Sequence, residues 1–84
     1  MAPRPEPQPG LARAIRQLRR ERNWSQEELG FRAGLDRSWI GHLESGRLNP
    51  LWGTVRKIAR AFEVELADLA ALAEKLEHEK APRP

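Results

Sequence analysis

Apolar positions recur at helical spacings along most of the chain, and capping or turn residues cut that pattern into five pieces. Leu11, Ile15 and Leu18 stand at i, i+4 and i+7, so they share one side of a helix predicted from Leu11 to Arg22. Arg13, Arg16, Arg19, Arg20 and Arg22 fall largely off that side. Ser25-Gln26-Glu27-Glu28 then has the S-x-x-E form of a capping box, in which the Ser25 hydroxyl and the Glu28 carboxylate each take a free backbone N–H at a helix start. A second helix is predicted from Ser25, with Trp24 and Leu29 spaced as a hydrophobic staple. Gly34 ends it in the left-handed conformation.

Asp36 is the expected N-cap of a third helix, stapled by Leu35 and Ile40, with Ile40 and Leu43 facing inward and Gly46 as the stop. Asn49-Pro50 predicts a fourth helix that starts with Asn49 as cap and proline in the first turn. Leu51, Val55, Ile58, Ala59 and Phe62 form its stripe, and Gly53 costs about 1 kcal/mol relative to alanine in a helix interior. A fifth helix, predicted from Leu66 to Lys80, places Leu66, Leu69, Leu72 and Leu76 at spacings of three and four. The expected class is all-α, a compact five-helix domain.

The middle of the chain is its most distinctive part. Two helices of about two turns each cannot survive alone in water. Joined by a tight turn through Gly34, they predict a helix-turn-helix, in which the second and third helices brace one another on a surface supplied by the first, fourth and fifth. Gly30 falls where the pair crosses and permits the close approach that a side chain would block.

Composition narrows the function. With 84 residues the chain supports one domain with a modest core, too small for an enzyme of ordinary complexity. Pro3, Pro5, Pro7 and Pro9 alternate in residues 1–10, which are expected to form a disordered Pro-rich tail, and APRP at 81–84 a second one, leaving 11–80 as the folded domain. There is no cysteine, and His42 and His78 lie on different predicted helices, so no thiolate metal site, nucleophile pair or metal-ligand spacing is present. No cofactor, metal or small-molecule ligand is expected. No apolar run approaches the roughly 18 residues of a membrane span and no signal-peptide pattern opens the chain, so a cytoplasmic protein without membrane contact is expected. Charge is uneven: residues 1–62 carry 12 Lys/Arg against 6 Asp/Glu, a net of +6, while residues 63–84 carry 3 against 6, a net of −3. A basic body of this kind points to a nucleic acid partner.

The segments IRQLRRERNWSQEEL, AGLDRSWIGHLESGRLNP and TVRKIARAFEV together resemble the lambda-repressor-like, or xenobiotic response element, helix-turn-helix domains of phage repressors, Cro proteins and restriction-modification controller proteins. The resemblance runs from about Leu11 to Leu69. It implies a five-helix domain that binds double-stranded operator DNA, usually as a dimer, to regulate transcription. Arg37, Ser38 and His42 occupy positions similar to the family's base-reading ones, where Arg37 can pair with guanine O6 and N7. Ser25, Gln26, Trp39, Arg47 and Asn49 occupy positions similar to its phosphate contacts. Trp39 is as well suited to packing, and Asn49 to capping. Gly30 replaces the family's usual alanine, Gly41 puts a second glycine inside the recognition helix, and Trp52-Gly53 replaces a more usual polar pair.

The resemblance also implies a homodimer on a roughly palindromic site. Trp52 at the start of the fourth helix and the Leu69, Leu72, Leu76 stripe of the fifth are the candidate interface, the fifth helix before the fourth. The expected function is therefore a sequence-specific DNA-binding regulator, most simply a repressor. The competing reading is an antitoxin or adaptor that uses the same fold mainly to hold a partner protein.

Overall fold

Burying five apolar stripes requires the helices to share a core, and the computed structural model, which describes residues 7–79, does this with five helices in sequence order. They are α1 (Pro9–Glu21), α2 (Gln26–Ala33), α3 (Arg37–Glu44), α4 (Trp52–Phe62) and α5 (Leu66–Glu77). Residues 1–6 and 80–84, most of the two expected tails, lie outside the described residues. Ile15, Leu29, Ile40, Leu43, Ile58, Phe62 and Leu69 form the fully buried centre, so every helix contributes at least one large side chain.

Helix α1 begins at Pro9, two residues before the expected Leu11. Proline is favoured in the first helical turn because its missing N–H had no intrahelical partner to lose, and the next residue, Gly10, is buried against α5. A Cβ at Gly10 would sit 2.3 Å from the carbonyl oxygen of Ala73, so only glycine allows α1 and α5 to approach this closely. The two helices also complete each other's ends. The Glu77 carboxylate accepts the Gly10 N–H, and Arg13 donates through Nη1 to the Leu76 carbonyl at 2.8 Å and the Glu79 carbonyl at 3.3 Å. The Gly10 N–H is one of the donors left without an intrahelical partner at the start of α1. Helix α5 ends at Glu77 rather than at the expected Lys80, which lies outside the described residues.

Helices α2 and α3 form the expected pair. Ser25 caps α2, its Oγ accepting the Glu28 N–H at 3.0 Å. The reciprocal half of the capping box is absent: Arg32, one turn on, draws the Glu28 carboxylate into a 3.1 Å ion pair. Gly34 closes α2 at φ +70°. At the crossing, a Cβ on Gly30 would lie 2.6 Å from the Leu35 carbonyl oxygen, which is the close approach expected there. The Leu35 N–H in turn donates to the Gly30 carbonyl at 2.8 Å. Trp24 stacks on Phe62 with centroids 5.7 Å apart, and the Arg32 guanidinium lies 4.2 Å from the Trp24 ring, tying the α1–α2 turn to α2 and α4.

One expectation about a helix start is corrected. Asn49 does not cap α4: the N-cap is Leu51, at ψ 152°, and the helix starts at Trp52. Asn49 is held extended by the proline that follows it, and Leu48, packed on the core, keeps this connection running along the surface before the helix turns. Asp36 is the N-cap residue of α3, but its carboxylate bonds no backbone N–H of that helix.

Candidate nucleic-acid interface

A helix that reads DNA must hold one face against its own domain and leave the other free. In α3, Ile40 and Leu43 are fully buried, while Arg37, Ser38 and His42 are all exposed. These are the three positions expected to read bases, and α3 carries them on its outward side. None of the three belongs to an ion pair among the described residues, so the Arg37 guanidinium is uncommitted. The Ser38 hydroxyl donates to the Asp36 carboxylate, and the His42 carbonyl accepts the Ser45 hydroxyl.

The residues expected to touch phosphate flank this face. Ser25 is exposed and occupied as the α2 cap, with its hydroxyl proton still available. Gln26 is half-buried, and its Nε2 donates to Glu44 Oε1 at 3.2 Å, leaving a second N–H. Arg47 and Asn49 are exposed in the α3–α4 connection, and the Arg47 N–H donates to Ser45 Oγ at 3.4 Å. Trp39 is half-buried and packs against the core; it also lines a shallow apolar groove with Leu35, Leu48, Pro50 and Leu51.

Behind the face lies a polar network that sequence patterning did not identify. Glu44, the last residue of α3, is only 4% exposed. Its carboxylate takes a bidentate contact from Arg19, Nε to Oε2 at 2.7 Å and Nη2 to Oε1 at 2.9 Å, while Arg16 Nη2 donates to the Glu44 carbonyl at 2.6 Å. Arg19 Nη1 also reaches the Trp24 carbonyl at 2.9 Å. The hydrogen bond that Arg19 donates to Glu44 raises the Arg19 pKa above its ordinary value, opposing the effect of burial. One carboxylate thus joins α1, the α1–α2 turn, the N-terminal side chain of α2 and the C-terminus of α3. The only signal in the sequence was the excess of arginine off the α1 stripe, and that does not identify partners 25 residues away.

The candidate dimer surface is corrected in part. Leu69 and Leu76 are 1% and 6% exposed, consumed by the protomer's own core against α1, and cannot present a face to a second copy. Leu72 is half-buried against the same core. The stripe is covered within the domain because α5 packs along α1. Trp52, by contrast, is 65% exposed and adjoins Leu51 at 80%. No helix among the described residues is long and apolar enough to cross a membrane, and no cluster of metal-binding side chains occurs among them.

Residues 11–72 match the family described as a helix-turn-helix domain. The chain is 40% identical over 55 residues to an uncharacterized HTH-type transcriptional regulator of Archaeoglobus fulgidus, a match spanning 66% of this chain and 78% of that one. It is 38% identical over 56 residues to the control protein C.BamHI of Bacillus amyloliquefaciens, covering 66% and 69% of the two chains. Among solved structures it is similar to the restriction-modification controller protein C.AhdI from Aeromonas hydrophila, with a TM-score of 0.70 and 36% identity over 73% of this chain and 92% of that one. A helix pair packed into the domain with an exposed polar face on its second member, and this match over most of the described chain, place the protein in the helix-turn-helix family of transcriptional regulators.

Proposed function

We propose that this regulator binds a specific double-stranded operator as a symmetric homodimer, inserting α3 into the major groove and acting as a repressor. The observation that carries this reading is the arrangement of α3, with Ile40, Leu43 and Glu44 locked into the domain and Arg37, Ser38 and His42 exposed on the other side. Arg37 supplies a fork of donors for guanine O6 and N7, and Ser38 and His42 contact neighbouring base edges. Ser25, Gln26, Trp39, Arg47 and Asn49 fix the register on phosphates. The indole N–H of Trp39 donates there while its ring stays packed.

With Leu69 and Leu76 buried, the dimer reading rests on Leu51 and Trp52, two exposed apolar side chains beside the Trp39 groove. A two-fold contact there would bury each pair against the other copy and set two recognition helices about 34 Å apart, one DNA turn. The test is selection of bound duplexes from a random pool at near-physiological salt, with sedimentation of the wild type and Trp52→Ala. An enriched inverted repeat with one-turn spacing supports the reading. A folded protein that enriches no sequence favours an antitoxin or adaptor bound to a partner protein. A wild type that sediments as a monomer on and off DNA removes the homodimer.

A further inference from the structure

The N-cap of the recognition helix carries a carboxylate that caps nothing. Asp36 has the extended backbone of an N-cap, φ −70° and ψ 143°, yet its side chain accepts no N–H from α3. It accepts the hydroxyl proton of Ser38 instead, and both residues are exposed on the side of α3 that carries Arg37. This arrangement constrains what the two side chains can offer a ligand. A serine hydroxyl has one donor and two lone pairs; once its proton is directed at Asp36, only the lone pairs remain. Asp36 and Ser38 together present acceptors and no donor, next to an Arg37 that presents donors only.

A carboxylate at a DNA interface is repelled by phosphate and costs free energy unless a donor meets it. The only donors on the floor of the major groove are the exocyclic amines, cytosine N4 and adenine N6. Adenine places its N7 acceptor beside N6, facing the carboxylate unfavourably, whereas cytosine has a C–H beside N4. We propose that Asp36 and Ser38 form an acceptor pair that reads cytosine N4 next to the guanine read by Arg37, which makes Asp36 a specificity determinant. The inference rests on the proposed DNA-binding mode of α3.

Selection from a random duplex pool with the wild type, Asp36→Asn and Ser38→Ala tests it, with thermal melts to show that each variant is folded. The wild type is expected to enrich cytosine at one position per half-site, beside the guanine. Asp36→Asn, whose amide offers both a donor and an acceptor, should lose that preference by about tenfold and move toward adenine, with other positions unchanged. Ser38→Ala should weaken the preference at the same position only. Any other base enriched there by the wild type overturns the pair, as does an Asp36→Asn profile equal to the wild type or a uniform loss on all sequences. Enrichment of no sequence by the folded wild type overturns the DNA-reading role of α3 and the pair with it, so the two failures are told apart.

Discussion

Two helix crossings in this molecule are closed by glycine, Gly30 between α2 and α3 and Gly10 between α1 and α5, and they differ in the stretch of chain they span. At the first, the obstructing carbonyl belongs to Leu35, five positions on; at the second it belongs to Ala73, at the other end of the folded chain. The α2–α3 crossing is a local device, built from one turn and one cap, that fixes the angle at which α3 is offered. The α1–α5 crossing is a long-range clasp, reinforced by Glu77 on the Gly10 N–H and by Arg13 on the α5 carbonyls, that sustains the core under the pair. Local geometry sets how α3 is presented, while the chain ends set whether there is a platform to present it from.

Glu44 joins the two regions, and removing it should produce the largest effect. Glu44→Ala leaves the Arg19 guanidinium, 13% exposed, without its partner, and should cost about 3 kcal/mol in urea denaturation. Gly10→Ala comes next: its Cβ meets backbone at 2.3 Å as well as the Glu77 side chain, for an expected loss of about 2 to 3 kcal/mol. Gly30→Ala, with an approach of 2.6 Å, should cost about 2 kcal/mol. These two variants sharpen the contrast when DNA affinity is measured on the folded fraction. Gly10→Ala should leave that affinity unchanged, and Gly30→Ala should lower it by tilting α3; equal effects would erase the distinction. Ser25→Ala, which removes only a cap, should lower the melting free energy by about 1 kcal/mol. Gly41→Ala should raise it by about 0.5 to 1 kcal/mol, because a Cβ there meets nothing nearer than Gln26 Oε1 at 3.7 Å.

The same division explains what could be read from the sequence. The five helices, the Ser25 cap and the Gly34 turn depend on neighbours within one or two turns, and spacing located them, while Arg37, Ser38 and His42 were singled out by the family resemblance and lie exposed on α3. Gly10 was assigned to a tail because nothing nearby explains a glycine after Pro9; its reason lies in α5. The Arg19–Glu44 pair was missed on the same grounds. Local rules also misled where tertiary packing competed with them. Asn49-Pro50 resembles a helix start but belongs to a connection held by Leu48, and the Leu69–Leu76 stripe resembles an interface but is covered by the domain's own core.

The placement of α5 on α1 and α4 also governs how the protein meets its ligand. Asp68, Glu74 and Glu77 ride on a helix whose packing partners are α1 and α4, while Arg37 and Arg47 stand on α3 and the connection after it. Acidic charge is thus gathered on one element, with a net of −3 over residues 63–84, while the net of +6 over residues 1–62 is spread over α1, α3, α4 and the connection between α3 and α4. In the field of a polyanion so uneven a distribution favours approaches in which the acidic helix is turned away before any contact forms. If the ligand is the proposed duplex, the benefit of that bias would be kinetic: a larger fraction of encounters would be productive, an advantage that fades as added salt shortens the reach of the field.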